Sequence, residues 1–230
     1  MGQLTVRQLG FALGAEVTGI DLSKPLDDLK RREILDAWHK HLVLVFPGQD
    51  LSAEEQIAFS RNFGALEDNE SLPYYRDPGH KEILLVTNKQ IGGKPSETRN
   101  TGRNWHADLT YTTRPAKGSL LLCKEKPAVG GDTMWANLYL AYETLSAPTL
   151  AFLNQHATSP EFVYRHRWSV NDLVMWDNRC TLHVALPDFD QTKTRHMTRT
   201  SLLGTVTGRV LEEGAAPEKE ALMQAIASVS

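Results

Sequence analysis

Between Pro25 and Leu42, apolar residues recur at Ile34, Leu35, Trp38 and Leu42. That spacing puts one apolar stripe along a helix, so a helix is predicted there, after a short N-terminal strand. The run "LVLVF" (42–46) is continuously apolar and is closed by Pro47-Gly48, the pattern of a buried strand ended by a turn. A second helix is expected from Ser52. Ser52 and Glu55 have capping-box spacing, Phe59 and Phe63 share a face, and Gly64 is the expected C-cap. Beyond Leu66 the period shortens: strands are predicted at 83–87, 119–123, 132–137, 161–168, 172–177 and 195–203, a short helix at 138–145, and a long polar loop at 88–103. With helices early, strands late and no βαβ alternation, the pattern predicts an α+β fold over residues 1–230, one domain with a β-barrel or double-sheet core buttressed by helices.

Composition narrows the classes without choosing among them. A chain with 41% hydrophobic and 23% charged residues is an ordinary globular protein. The formal charge of -3 and the scattered Lys and Arg residues offer no basic field for a nucleic acid. The two cysteines, Cys123 and Cys180, each lie in an apolar stretch, which suits buried thiols in a reducing compartment better than a disulfide framework. The first residues carry neither a signal-peptide pattern nor a long apolar run, so the expectation is a cytoplasmic protein with no membrane partner.

The candidate chemistry begins in "NWHADLTY" (104–111). On a strand, residues two apart face the same side, so His106 and Asp108 would aim an imidazole and a carboxylate at one point. That is half a metal site, and also a pair that arises often by chance. "DLVMWDNRCTLH" delivers one of the eight histidines, His183, near a strand boundary. A second imidazole there would complete the two-His, one-carboxylate triad, which leaves coordination positions open for a chelating cosubstrate and O2. Twelve residues on stands Arg195, and alternation puts Arg195, Met197, Arg199 and Ser201 on one face. Two arginines on an apolar-flanked strand are costly to bury unless anions meet them, and carboxylates suit a guanidinium; the other reading is two surface residues on an edge strand.

Together "NWHAD", "GGDTMWAN", "MWDNRCTLH" and "RHMTRTSLLG" resemble the iron(II)- and 2-oxoglutarate-dependent dioxygenases of the taurine dioxygenase and 2,4-dichlorophenoxyacetate dioxygenase group. "LGAEVTGIDL", "LVFPGQDLSAEEQIAFSRNFGALE" and "HATSPEFVYRHRW" extend the likeness over most of the chain, closer to the phenoxyacetate branch. The resemblance implies a double-stranded β-helix, or jelly roll, with Fe(II) held by His106, Asp108 and His183. It implies that Thr133 and Arg195 bind the distal carboxylate of 2-oxoglutarate and that Arg199 meets the anionic group of the prime substrate. Taken alone, Thr133 is equally a plain strand threonine. The activity implied is hydroxylation of a small anionic substrate (an aryloxyalkanoate, sulfonate or alkyl sulfate) with release of succinate and CO2, in an enzyme that is often a homo-oligomer. The competing reading is a catalytically inactive metal-binding barrel of the same fold.

Two departures from the group stand out. Thr133 and His183 are only 50 positions apart, where the group carries a much longer interval, as though a segment were excised between about Pro148 and Leu153. Residues missing from the sequence in hand account for this better than a true truncation. In addition, "GALEDNESLPYYRD" has no histidine before His80 to meet a sulfonate, which favours an aryloxyalkanoate over taurine.

Overall fold

Helix α1 (Asp28–His41) starts where the Asp27 side chain accepts a hydrogen bond from Lys30 N, and stops at Leu42, whose φ of 64° turns the chain while its N–H bonds Trp38 O at 2.7 Å. Leu42 is thus the cap of the helix, and the following strand, β3 (Val43–Phe46), begins one residue later than its apolar run. Two short strands precede it, β1 (Thr5–Gln8) and β2 (Ala15–Thr18), paired antiparallel. β2 then runs parallel to β3, so β2–α1–β3 is a βαβ crossover, which corrects the expectation that none is present. With four residues, only two of them buried, β2 is too short for alternation to stand out.

Helix α2 (Ala53–Arg61) opens on a complete capping box, with Glu55 N donating to Ser52 Oγ at 3.2 Å and Ser52 N to Glu55 Oε2 at 2.8 Å. It ends earlier than expected. Asn62, rather than Gly64, is the C-cap, and its amide donates to the carbonyls of Ala58 and Phe59. The computed structural model describes residues 4–70, 75–91, 94–95, 102–110, 112–144 and 157–205, so the proposed break near 148–153 lies outside the described residues. The remaining elements are β4 (Leu84–Thr87), β5 (Gln90–Ile91), β6 (Lys94–Pro95), β7 (Gly118–Glu125), β8 (Thr133–Asn137), α3 (Leu138–Glu143), β9 (Val163–His166), β10 (Leu173–Asp177), β11 (Thr181–Ala185) and β12 (His196–Leu202). The strand expected over 161–168 is confined to β9, because Pro160–Phe162 forms a 3-10 turn and Trp168 lies past its end.

These strands form an α+β architecture: a seven-stranded sheet in the order β1-β2-β3-β10-β7-β12-β4, a three-stranded sheet β11-β8-β9, and a small β5-β6 ladder. Alternation gives the large sheet two buried faces. Leu44, Phe46, Leu120, Leu122 and Met175 pack against Trp38, Ile34 and Phe59 of the helices. Val45, Leu121, Val174, Trp176 and Met197 face the other way, toward Trp135 of β8. Full burial of each such side chain contributes about 1.5–3 kcal/mol.

Strand β12 is held from behind by α2. Gln56 Nε2 donates to Thr198 O at 3.0 Å, Thr198 Oγ1 donates to Gln56 Oε1 at 2.6 Å, and Ser60 Oγ pairs with Thr200 Oγ1 at 2.6 Å. With Thr198 and Thr200 turned toward the helix, Met197 and Arg199 point toward the smaller sheet. The register jumps from His196↔Glu125 to Met197↔Cys123, so the irregularity is taken up at Lys124 of β7 and the alternation of β12 survives it. Among the described residues, no helix is long and apolar enough to cross a membrane. Cys123 and Cys180 are both buried and free, in keeping with the reading of buried thiols.

Candidate functional site: a metal and anion cavity between the sheets

His106 reaches the site without being part of a strand. It forms a single antiparallel bridge with His183 of β11, His106 N donating to His183 O at 3.0 Å and His183 N to His106 O at 2.8 Å. The chain then turns, with Leu109 at φ 56°. The expected strand alternation is therefore replaced by one bridge and a turn, yet the two side chains still converge. Asp108 Oδ1 lies 3.8 Å from His106 Nε2 and 3.9 Å from His183 Nε2. One ligand atom from each of the three residues lies within 4.8 Å of the others.

Each donor is in the form a cation needs. His106 Nδ1 faces the carbonyl of Asn104 at 2.8 Å; a carbonyl only accepts, so Nδ1 carries a proton and Nε2 is the nitrogen left to ligate. Burial pushes the His183 imidazole down to about 3, which leaves it neutral. Burial, the largest single influence, pushes Asp108 up, but the Arg199 guanidinium, the two imidazoles and the Ser119 hydrogen bond together outweigh it and hold the carboxyl at about 2, ionised. Neither Nε2 makes a hydrogen bond among the described residues. Two imidazoles and a carboxylate with unspent lone pairs fit a divalent cation.

A hydrogen-bond chain absent from the sequence reading fixes Asp108. Ser119 of β7 donates to Asp108 Oδ2 at 2.7 Å, and Asn178 Nδ2 donates to Ser119 Oγ at 2.9 Å. Asn178 Oδ1 accepts in turn from Asp108 N at 3.3 Å and Trp176 Nε1 at 2.8 Å. All of these groups are buried, and every side-chain polar atom of Asn178 is satisfied. Asn178 stands in the quoted "MWDNRC", but a serine in an apolar strand gives no sequence signal.

The cavity in front of these ligands has a volume of about 310 Å³. Leu84, Val86, Leu121 and Trp176 line its apolar part; Thr133, Arg195 and Arg199 supply the polar part. All six residues singled out in the sequence therefore border one space. Arg195 is 7% exposed, and burial pushes its guanidinium down to about 10, still charged at neutral pH. Its Nε donates to Gly131 O at 2.9 Å and its Nη2 to Thr133 Oγ1 at 3.3 Å, both neutral acceptors. Gly131 can present that carbonyl because its φ is 75°, and a Cβ there would stand 3.3 Å from Arg195 Cδ. No carboxylate pairs directly with Arg195 among the described residues, and only Asp132 attracts it from a distance, so a buried cation faces the cavity without an ion-pair partner, the electrostatic condition of an anion site. Arg199 is placed differently: its Nη1 donates to Asp108 Oδ1 at 2.5 Å, directly beside the ligand cluster.

A two-His, one-carboxylate cluster beside a buried arginine, set between two β-sheets, has the donor set used by the non-haem metal oxygenases. The chain belongs to the family described as "Taurine catabolism dioxygenase TauD, TfdA family", whose model matches residues 5–150 and 146–201. It is 30% identical over 254 positions (75% of this chain, 88% of the relative) to the alpha-ketoglutarate-dependent 2,4-dichlorophenoxyacetate dioxygenase of Cupriavidus pinatubonensis. It is 34% identical over 172 positions (70% of this chain, 56% of the relative) to the (S)-phenoxypropionate/alpha-ketoglutarate-dioxygenase of Delftia acidovorans. Among solved structures, that of AAD-2 in complex with Mn(II) and N-oxalylglycine superposes with a TM-score of 0.81 at 30% identity, covering 88% of this chain and 98% of that one. By family and relatives the chain is an alpha-ketoglutarate-dependent (2-oxoglutarate-dependent) dioxygenase, an oxidoreductase.

Proposed function

We propose that this protein binds Fe(II) through His106, Asp108 and His183 and hydroxylates a small aryloxyalkanoate at the expense of 2-oxoglutarate and O2. The observation that carries this reading is the position of Arg199, whose guanidinium touches the carboxylate that helps hold the metal. In a 2-aryloxyalkanoate the carbon bearing the ether oxygen is bonded directly to the carboxylate carbon. A substrate anchored by its carboxylate on Arg199 therefore brings that C–H next to the metal ligands, while its ring meets Leu84, Val86, Leu121 and Trp176. Substrates whose anionic group is farther from the reacting carbon suit this anchor less well.

When bound, the iron supplies oxidative decarboxylation of 2-oxoglutarate to succinate and CO2, coupled to oxygen insertion at the C–H bond. The chain's own residues do the rest. Thr133 and Arg195 bind the distal carboxylate of 2-oxoglutarate, Ser119 and Asn178 hold Asp108 in its ligating orientation, and the apolar wall excludes water from the reacting carbon. The large and small sheets facing each other across the cavity support the reading of a double-stranded β-helix. Two facts support a family segment missing near 148–153. The two matched stretches of the family model meet at residues 146–150. The Cupriavidus alignment also runs over 254 positions while using 75% of a 230-residue chain, so the relative carries residues with no counterpart here.

The test is an anaerobic titration of the protein with Fe(II) and 2-oxoglutarate, followed by admission of O2 with phenoxyacetate, taurine and an alkyl sulfate in parallel. A weak visible band of the iron(II) chelate, then succinate formation fastest with phenoxyacetate, is the expected result. The band without succinate would instead establish the inactive metal-binding barrel. No band would overturn the cofactor assignment.

A further inference from the structure

Thr133 Oγ1 has two donors aimed at it from the protein. Trp168 Nε1 donates at 3.1 Å and Arg195 Nη2 at 3.3 Å. A hydroxyl has two acceptor lone pairs and one proton, so two incoming N–H groups exhaust its capacity to accept. No acceptor for the Thr133 proton occurs among the described residues, and Thr133 lines the cavity. We infer that Trp168 is a positioning residue that makes the Thr133 hydroxyl an obligate donor into the cavity, so that the site selects a cosubstrate ending in a carboxylate. The inference rests on the assignment of 2-oxoglutarate to Thr133 and Arg195.

The surroundings of Trp168 show why its indole N–H is fixed. The ring is 3% exposed and belongs to the buried cluster that also holds Trp135, Trp176 and Met197. Its edge meets the His166 ring with centroids 4.8 Å apart and planes at 83°. His166 is held in turn, with Nε2 3.1 Å from Asp172 Oδ2 and Nδ1 3.2 Å from the Tyr164 hydroxyl. Asp172 Oδ2 also accepts from Ser169 N at 2.8 Å, which closes the turn carrying Trp168. The indole therefore cannot swing away from Thr133 without disturbing a buried histidine and its carboxylate. Without its N–H, a Thr133 lone pair is released and the hydroxyl can rotate to accept as well as donate. The preference for an anionic end group over a neutral one should then fall.

The experiment compares 2-oxoglutarate with 2-oxopentanoate, the same chain ending in a methyl group. Both are titrated calorimetrically into Fe(II)-loaded, O2-free protein for wild type, Trp168→Phe, Thr133→Val and the double variant. Wild type is expected to prefer 2-oxoglutarate strongly. Trp168→Phe should weaken 2-oxoglutarate by about 10- to 150-fold, as for loss of a hydrogen bond to a charged group, and leave 2-oxopentanoate unchanged. The double variant should be no worse than Thr133→Val alone. Should Trp168→Phe not fold, 3-benzothienylalanine at position 168 keeps the bicyclic ring, removes only the N–H, and is expected to give the same loss. Equal weakening of both acids, effects that add to those of Thr133→Val, or unchanged 2-oxoglutarate affinity with 3-benzothienylalanine would overturn the inference. A wild type that binds the two acids equally would instead overturn the cosubstrate assignment, and this inference with it.

Discussion

Asp108 divides its two oxygens between different partners. Oδ1 faces the two imidazoles and Arg199, and Oδ2 is held by Ser119. Replacing Asp108 by Ala should therefore abolish iron-dependent turnover, and any 2-oxoglutarate decarboxylation retained by that variant would mean the ligand set is misassigned. Ser119→Ala makes a milder change, since it frees Oδ2 and leaves Asn178 Nδ2 without its acceptor. Loss of an outer-shell partner of a metal ligand typically costs about 10–100-fold in affinity, and a competition titration against a chelator should find a loss of that size; a chelator midpoint equal to wild type would rule out the positioning role of Ser119. The cluster of His106, Asp108 and His183 proposed as the ligand set was legible in the sequence because a His and an Asp two apart, with a distant His, have a chemical identity. Ser119 was not, because it meets Asp108 only through the bridge to His183 and the turn at Leu109, and neither has a residue signature.

Between elements, α2 is locked to β12 by polar groups instead of by apolar packing alone. Gln56 is fully buried, donates to the carbonyls of Leu120 and Thr198, and accepts from the Thr198 hydroxyl. Gln56→Leu keeps the bulk but leaves that hydroxyl and those carbonyls short of a partner. At about 1–3 kcal/mol for a buried unsatisfied group, urea unfolding should show a loss of ~2–3 kcal/mol. Ser52→Ala, which removes only the solvent-facing capping box, should cost about 1 kcal/mol. Equal losses in the two variants would show that the buried clamp contributes nothing beyond a cap. The capping box was readable because its spacing is local. The clamp joins residues 142 positions apart, the parallel β2–β3 pairing rests on a four-residue strand, and the β7 irregularity at Lys124 is a property of register, so none of these has a local pattern to read.

At the scale of the whole molecule, the proposed ligands span the seam between the two sheets: His183 and Thr133 come from the small sheet, while Arg199 on β12 and Arg195 just before it belong to the large one. The two cysteines lie in the same buried layer, and burial pushes both thiols up to about 12. A thiolate, not a thiol, reacts with an alkylating agent, so at pH 8 neither should be modified until the layer opens. Raising the pH from 7 to 9 should leave their native-state alkylation slow, while in urea the reaction should accelerate with the usual thiol titration. Because 2-oxoglutarate held on Thr133 and Arg195 as proposed would contact both sheets, it should oppose that opening. At a hundredfold excess over its dissociation constant, a ligand that binds only the folded state stabilises it by about 2.7 kcal/mol, about a hundredfold in the open population. Alkylation in mild urea, measured at fixed metal with and without 2-oxoglutarate, should slow by up to that factor in wild type and much less in Thr133→Val. If the cosubstrate left the rate unchanged while binding by calorimetry, it would be held by one sheet alone, and the seam would owe its closure to the apolar contacts of Trp135, Trp168 and Trp176.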